Sequence, residues 1–108
     1  ALLKSDDARI LFLSSSVGRE ARAYWGAYSV SKFGIEGFAK TLSEELEKTK
    51  ISVNTVNPGK LRTEMRRAAY PAEDSSGVPL PEEKSSAIVY LLSSMSPKMN
   101  GEQLTIAD

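Results

Sequence analysis

Two stretches rich in apolar and β-branched residues, separated by a long segment of helical character, most constrain how this chain can fold. The first, RILFLSSS, has four consecutive apolar residues and ends in serines, which is typical of a strand buried on both faces of a parallel sheet. The second, ISVNTVNPG, is β-branched and ends in Pro58-Gly59, which predicts a strand with a sharp stop. A strand–helix–strand order of this kind predicts a parallel α/β unit.

The segment from Ala27 to Lys48 has the periodicity of an amphipathic helix. Its apolar residues recur at i, i+3, i+4, i+7 and i+11, and they predict a buried stripe formed by Ile35, Phe38, Ala39, Leu42 and Leu46. Glu36 stands four positions before Lys40, a spacing that predicts an ion pair on the surface of the helix.

The second half of the sequence predicts two shorter helices and a third strand. Thr63 suits the N-cap of a helix over residues 63–70, and a loop rich in Pro, Ser and Gly follows. Pro81 suits the first position of the next helix, whose buried stripe would be Ala87, Ile88, Leu91 and Leu92. EQLTIAD predicts a short final strand. The order β-α-β-α-β predicts a parallel sheet of three strands with flanking helices, and we expect residues 1–108 to form a single unit.

Composition excludes several classes of function. The 108 residues hold 14 basic and 14 acidic side chains, a balance that does not fit a nucleic-acid-binding protein. Neither cysteine nor histidine occurs, which excludes disulfides, metal sites built on thiolate or imidazole, and a Ser-His-Asp triad. No apolar run is long enough to span a bilayer, and the N-terminal residues lack the apolar core of a signal peptide. We therefore expect a cytoplasmic protein with no metal site, no nucleic-acid partner and no membrane contact.

The pentapeptide YSVSK, at the start of the predicted long helix, is the first candidate for catalysis. Residues four apart lie on the same face of a helix, so Lys32 can lie beneath the side chain of Tyr28. A nearby ammonium favours the phenolate form of a tyrosine, whose pKa is otherwise about 10. Tyr28 would then donate a proton to a carbonyl or take one from an alcohol. The alternative interpretation is a half-buried tyrosine beside a solvated lysine.

Further motifs stand at fixed distances from this pair. LSSSVG places Ser15 thirteen residues before Tyr28, at the end of the first strand, and NPGKLRT closes the second strand. Together with YSVSK, these motifs and their spacing resemble the short-chain dehydrogenase/reductase family, and the tail GEQLTIAD is similar to the last core strand of that family. The resemblance implies a partial Rossmann-like, doubly wound parallel sheet. It also implies an NAD(P)-dependent oxidoreductase that interconverts carbonyls and alcohols.

The resemblance implies roles for individual residues. Ser15 would hold the substrate oxygen, Tyr28 would be the general acid or base, and Lys32 would lower the pKa of the tyrosine and bind the ribose of NAD or NADP. The implied cofactor-binding residues are Tyr28, Lys32, Pro58, Gly59, Leu61 and Thr63. Ser14 and Ser16 are interpreted as hydrogen-bonding residues of the strand end.

The resemblance covers the C-terminal half of a family member. The glycine-rich turn that binds the pyrophosphate, the Asn-Ala-Gly strand and the helix with a catalytic asparagine have no counterpart in the 108 residues. We therefore expect the chain to be inactive alone. Three interpretations stay open: a part of an oxidoreductase, a half-enzyme completed by a partner chain that carries the N-terminal half, or a non-catalytic half-length protein that acts as a homo-oligomeric binding module.

Two surfaces predict self-association. A strand edge at Ile10–Leu13 would expose unpaired backbone groups, and the helix from Ala27 to Lys48 commonly lies in a subunit interface in the family that the chain resembles. Gly34 and Gly37 in this helix would allow close packing against a neighbouring element. We therefore expect a homo-oligomer built on this edge and this helix. Arg19, beside the serine motif, is interpreted as facing solvent or as a contact for an acidic group of a ligand.

Overall fold

The elements follow one another in the order that the sequence predicts. A computed structural model describes residues 4, 6–20, 23, 24, 26–59 and 81–106. Within them the elements are β1 (Ala8–Leu13), a 3-10 turn (Ser16–Gly18), α1 (Gly26–Glu45), β2 (Ile51–Asn57), α2 (Pro81–Leu92) and β3 (Gln103–Thr105). The short helix predicted over residues 63–70 lies outside the described residues.

The strands form one parallel sheet in the order β1-β2-β3. Ala8 of β1 pairs with Ile51 of β2, and Thr55 of β2 pairs with Gln103 of β3. Each connection between neighbouring strands contains a helix, α1 in the first and α2 in the second. The predicted parallel α/β fold is therefore confirmed, and the carboxyl ends of the strands lie at the same edge of the sheet.

The two helices lie on opposite faces of the sheet. On the face covered by α1, the core consists of Ala8, Ala39, Ile51 and Val53, flanked by Ile10, Phe12, Leu42 and Leu46. Because strand side chains alternate between faces, Leu11 and Asn54 point the other way, where they line a small cavity together with Leu91 of α2. A parallel sheet with a helix on each face is the partial doubly wound arrangement that the sequence predicts.

Two asparagines join the loop before β3 to the middle of the sheet. The Asn54 side chain donates to the Met99 carbonyl at 3.0 Å and accepts from the Glu102 amide at 2.9 Å. The Asn100 side chain accepts a hydrogen bond of 2.8 Å from the Val53 amide. Because polar backbone groups in a buried strand need partners, these contacts hold β3 beside β2.

Burial differs from the predictions at two places. The prediction that β1 is buried on both faces is wrong: Ala8 is buried, the next four residues are half-buried and Leu13 is 51% exposed. Among the described strands, β1 lies at the end of the order, with β2 on one side of it. The buried residues of α1 are Glu36, Ala39 and Ser43, so its buried line differs from the predicted stripe. Phe38 is 58% exposed and packs its ring edge-on against Phe12.

Candidate active site

Three of the predicted site residues lie where strands end. Ser15 lies two positions after the last residue of β1, and Pro58 and Gly59 follow directly on β2. Because the two strands are parallel, these residues lie at the carboxyl edge of the sheet, where open parallel sheets bind their ligands. The structure therefore places the serine motif and the Pro-Gly segment at the same edge.

The first turns of α1 bring the Tyr–Lys pair to this edge. The Lys32 ammonium lies 5.6 Å from the centre of the Tyr28 ring, within the range of a cation–π contact. It also donates a hydrogen bond of 3.3 Å to the carbonyl of Leu13, the last residue of β1. Lys32 thus connects the phenol ring to the strand end that leads into Ser15.

A tight turn after β1 sets the backbone at Ser15. The turn Ser16–Gly18 is closed by a hydrogen bond of 3.0 Å from the Gly18 amide to the Ser15 carbonyl. A β-carbon at Gly18 would lie 2.7 Å from Ser14 Oγ and 2.9 Å from the carbonyl oxygen of Lys32, closer than such atoms pack. Glycine therefore allows the turn to lie directly against the backbone of α1 at Lys32.

The Pro-Gly segment after β2 is held on both of its residues. Gly59 has a φ of 77°, a left-handed conformation that favours glycine, and its amide donates to Asn57 Oδ1 at 3.0 Å. The Pro58 carbonyl accepts a hydrogen bond of 2.7 Å from Lys84 Nζ. Lys84 is 5% exposed, so a buried ammonium at the start of α2 fixes this backbone. Two predicted cofactor contacts lie outside the described residues: Leu61 and Thr63.

An ion pair that the sequence does not predict lies behind the serine turn. Arg19 Nε lies 2.8 Å from Glu36 Oε2, and the Glu36 side chain is 8% exposed. The same guanidinium donates to the Leu104 carbonyl at 3.0 Å and to the hydroxyls of Thr55 and Thr105 at 3.3 and 3.0 Å. Thr55 in turn donates to Glu36 Oε1 at 2.6 Å. These contacts join the turn after β1 to α1, β2 and β3.

This ion pair corrects two predictions. Arg19 does not face solvent or an acidic ligand, because its guanidinium is directed onto α1 and the sheet. Glu36 pairs with Arg19 and not with Lys40, whose ammonium instead donates to the Gly101 carbonyl at 3.5 Å. Sequence reasoning missed the pair because 17 positions separate its members. The available signal was that Glu36 continues the line of Tyr28 and Lys32 at a spacing of four residues.

The surroundings of Glu36 keep its carboxylate charged. Burial raises the pKa of Glu36, but the hydroxyls of Thr55 and Ser14 and the guanidinium of Arg19 outweigh burial and hold the pKa below its ordinary value of 4.5. Ser14 Oγ is buried and near enough to lower this pKa, yet it makes no hydrogen bond of normal geometry. The strand-end hydrogen bond predicted for Ser14 is made by its backbone amide, which donates to the Val56 carbonyl at 2.8 Å.

Known proteins share this arrangement of sequence and fold. A family model described as short chain dehydrogenase matches residues 1–74, which is more than half of the chain. The chain belongs to the short-chain dehydrogenase family. It is 42% identical over 100 residues to the uncharacterized oxidoreductase YciK of Escherichia coli K12, an alignment that covers 93% of this chain and 39% of YciK.

Two further short-chain dehydrogenases and reductases show how much of the fold is present. The chain is 33% identical over 113 residues to the 3-oxoacyl-[acyl-carrier-protein] reductase FabG of Vibrio harveyi, covering 97% of this chain and 46% of FabG. A crystal structure of a short chain dehydrogenase from Shigella flexneri 2a, complexed with NADP, matches with a TM-score of 0.89 at 40% identity, covering 96% of this chain and 43% of that one. The chain therefore spans less than half the length of these relatives, and its sheet is part of their Rossmann-like fold.

Metal ligation and membrane insertion are two other functions that the described residues of this short-chain dehydrogenase could serve. In the ranges that the structure describes, no three side chains of the types that ligate metals lie close enough together to hold an ion. Neither α1 nor α2 is long and apolar enough to cross a membrane.

Proposed function

We propose that the complete protein containing this chain is an NADP(H)-dependent oxidoreductase that interconverts a carbonyl and an alcohol, and that this chain supplies its catalytic residues. The observation that carries the proposal is the position of Lys32, which lies over the Tyr28 ring and donates to the strand end beside Ser15. The family supports oxidoreduction as the class of reaction. The name of the V. harveyi relative supports a carbonyl as substrate.

Tyr28 is the residue suited to exchange a proton with the substrate oxygen. In reduction, its phenol O–H bond breaks and the proton passes to the carbonyl oxygen, while the carbonyl carbon accepts a hydride and becomes the carbon of an alcohol. The reduced nicotinamide, when bound, is the source of that hydride. Lys32 stabilises the negative charge left on the phenolate, because its ammonium lies 5.6 Å from the ring centre. Oxidation of the alcohol reverses these transfers.

Ser15 is the residue suited to hold the substrate oxygen. It lies half-buried at the carboxyl edge. The turn that follows it packs directly against α1, because Gly18 has no side chain to keep them apart. A hydroxyl held in this way donates a hydrogen bond to the carbonyl oxygen and stabilises the negative charge that develops there. Because α1 also carries Tyr28, the fold sets the two hydroxyl groups relative to each other.

The carboxyl edge fits the nicotinamide end of a dinucleotide. The Lys32 ammonium suits a ribose hydroxyl, and the anchored backbone at Pro58 and Gly59 offers a surface with no side chain on the glycine. Tyr28, on the same edge, is also a proposed cofactor contact. From the family resemblance, so are Leu61 and Thr63. The NADP in the S. flexneri structure supports NADP over NAD. A glycine-rich turn for the pyrophosphate is not among the 108 residues, so we assign that contact to other residues of the complete protein.

The isolated chain of 108 residues is proposed to bind NADP(H) weakly and to be inactive, because it supplies contacts to one end of the dinucleotide. The other end could be supplied by the same polypeptide or by a partner chain that carries the N-terminal half. Both arrangements assign the same roles to Ser15, Tyr28 and Lys32. They differ in whether one polypeptide or two are needed for turnover, which reconstitution from separately expressed halves distinguishes.

A second proposal, based on exposed apolar surface, is that the protein forms a homo-oligomer, either as an enzyme or as a non-catalytic binding module. Four large apolar side chains on β1 and α1 are between 44% and 75% exposed: Leu13, Val30, Phe33 and Phe38. A β-carbon at Gly34 or Gly37 would meet nothing within 4 Å, so any close packing at these glycines involves a second molecule or a segment outside the described residues. Exposed apolar patches of this kind mark interaction surfaces. We propose a cytoplasmic homo-oligomer that uses this surface; a strictly monomeric protein in light scattering at high concentration would contradict it.

Calorimetric titration with NADPH tests the proposed site. The complete protein is titrated as wild type, as Lys32→Ala and as Lys40→Ala, a control on the same helix whose ammonium contacts Gly101 instead. We expect micromolar binding that Lys32→Ala weakens about tenfold or more, since a hydrogen bond to a charged group is lost. Lys40→Ala should bind as wild type does. Equal binding by all three proteins, or no binding of NADPH to the complete protein, would show that this edge is not the cofactor site.

A further inference from the structure

Arg19 and Glu36 lie on the two elements whose relative placement decides whether Ser15 and Tyr28 can act together. Arg19 follows directly on the turn that begins at Ser15. Glu36 lies on α1 eight residues after Tyr28, and therefore on the same side of the helix. The ion pair of 2.8 Å between them spans the gap between the serine turn and α1.

The guanidinium of Arg19 is itself held in one orientation. Besides Glu36, it contacts the Leu104 carbonyl and the hydroxyls of Thr55 and Thr105, which belong to β2 and β3. A planar fork with five N–H donors can make all these contacts at once, whereas a lysine ammonium cannot. The sheet thus fixes the arginine, and the arginine fixes the turn.

Among the described residues, Lys32 also contacts the turn region from α1, nearer to Tyr28 than Glu36 is. Lys32 donates to the Leu13 carbonyl before the turn, and the backbone of Gly18 lies against the backbone of Lys32 in the middle of it. The Arg19–Glu36 pair is the contact at the far end of the turn. These contacts hold the residues before, within and after the turn against α1.

We propose that Arg19 and Glu36 are a positioning pair that holds Ser15 at the separation from Tyr28 at which both hydroxyls reach one substrate oxygen. Neither residue touches the substrate in this assignment. The inference rests on the proposed function, since it names the residues that make the catalytic geometry of that same site. Displacement of a catalytic group by about 1 Å can lower a rate about a hundredfold, so a pair of this kind has a measurable effect on turnover.

The chain provides a matched control at the other end of β1. Arg9 also forms a fork, donating to Asp7 through Nε and to the Ser96 carbonyl at 3.1 Å. Its side chain is buried to a similar extent, 9% exposed against 17% for Arg19. Arg9→Lys therefore removes a comparable set of contacts far from the carboxyl edge.

The first experiment compares Arg19→Lys with Arg9→Lys in the complete protein, using NADPH and a carbonyl compound that the wild type reduces. We expect Arg19→Lys to lower kcat about tenfold or more while KM changes less than about twofold, because a misplaced Ser15 affects the transition state more than binding. Arg9→Lys should leave both constants near those of the wild type. If Arg19→Lys does not fold, Glu36→Gln and its control Asp7→Asn make the same comparison with smaller changes in shape.

A second measurement does not depend on activity. The complete protein is labelled with 13C at the ζ-carbons of its tyrosines, 4 of which lie in this chain, and Tyr28→Phe assigns the Tyr28 signal. Arg19→Lys or Glu36→Gln should shift or broaden that signal, and Arg9→Lys or Asp7→Asn should not. A purely structural pair would lower stability without changing the Tyr28 signal selectively.

The outcomes separate the two proposals. Loss of kcat together with a changed Tyr28 signal, in the Arg19 or Glu36 variants alone, supports the positioning pair. Equal effects in the controls, or an unchanged Tyr28 signal and unchanged kcat, overturn it. If the wild type reduces no carbonyl and binds no NADPH, the proposed function fails, and the Tyr28 signal alone then decides whether the pair positions the site.

Discussion

The two ends of β1 each carry an arginine that pairs with a carboxylate, but the pairs sit in different surroundings. At the amino end, Arg9 Nε lies 3.0 Å from Asp7, whose side chain is 35% exposed and is shared with Lys98 at 3.4 Å. At the carboxyl end, Arg19 pairs with Glu36, which is 8% exposed and also accepts from Thr55. The carboxylate of the first pair is partly exposed to solvent, whereas that of the second is buried between α1 and the sheet.

The difference indicates what each pair does for the protein. A buried ion pair loses hydration and is often no more stabilising than apolar side chains of the same size, so stability alone is a weak reason for its presence. In the buried pair of this chain, Arg19 follows the turn after Ser15 and Glu36 lies on α1 one helical turn after Lys32. The Arg9–Asp7 pair, whose carboxylate is 35% exposed, lies at the opposite edge of the sheet.

The largest expected effect is the difference in the free energy of unfolding between a variant that lacks Arg19 and a variant that lacks Arg9. Arg19→Met leaves the Glu36 carboxylate buried without its cation and should cost about 3 kcal/mol. Arg9→Met leaves Asp7 at the surface, beside Lys98, and should cost a small part of that. Urea denaturation of the two variants measures the contrast. Similar urea midpoints for the two variants would mean that the two ion pairs contribute equally to stability, which would contradict this contrast.

A smaller effect is expected from a methyl group at Gly18. Gly18→Ala brings a β-carbon to 2.7 Å from Ser14 Oγ and 2.9 Å from the Lys32 carbonyl, so it should destabilise the fold by about 1–3 kcal/mol. Gly34→Ala, on the exposed side of α1, meets no atom within 4 Å and should stabilise by about 0.5–1 kcal/mol because alanine is the better helix residue. Thermal unfolding of both variants tests this; a tolerated Gly18→Ala would show that the turn does not lie against α1.

The smallest effect is on the pH dependence of stability. The pKa of Glu36 lies below its ordinary 4.5 in the folded protein, so the ionised carboxylate contributes stability above about pH 4.5 that is lost as the pH falls through the folded pKa. Glu36→Gln should therefore flatten the acid side of the stability profile. The pKa of Asp7 is also lowered, chiefly by its hydrogen bond with Arg9, but solvent screens this group and Asp7→Asn should change the profile less. Unfolding curves at a series of acidic pH values compare the two; a steeper change for Asp7→Asn would reverse the comparison.

Much of the fold follows from local patterns in the sequence. The β-branched run of ISVNTVN predicted β2, which is buried along almost its whole length, and the spacing of apolar residues predicted both described helices. The association of Tyr28 with Lys32 also followed from spacing, because residues four apart on a helix share a face. These features depend on residues that are only a few positions apart in the sequence.

What the sequence did not predict depends on contacts between distant segments. The ion pair of Arg19 with Glu36 forms because the turn after β1 returns to α1, and the local pattern favoured Lys40 as partner instead. The half-buried state of β1 depends on which distant elements pack against its faces, and its own apolar run does not specify them. The burial of Lys84 likewise depends on a distant segment, because its ammonium contacts the Pro58 carbonyl at 2.7 Å.

The measurement that tests the central claim most directly is the rate of NADPH-dependent carbonyl reduction by Tyr28→Phe. The complete protein is assayed as wild type, as Tyr28→Phe and as Tyr90→Phe, a control tyrosine on α2. If Tyr28 is the proton donor at the carboxyl edge, Tyr28→Phe lowers kcat/KM by about a hundredfold to ten-thousandfold, and Tyr90→Phe leaves it near that of the wild type. Reduction by Tyr28→Phe at the wild-type rate would contradict the assignment of this edge as the active site.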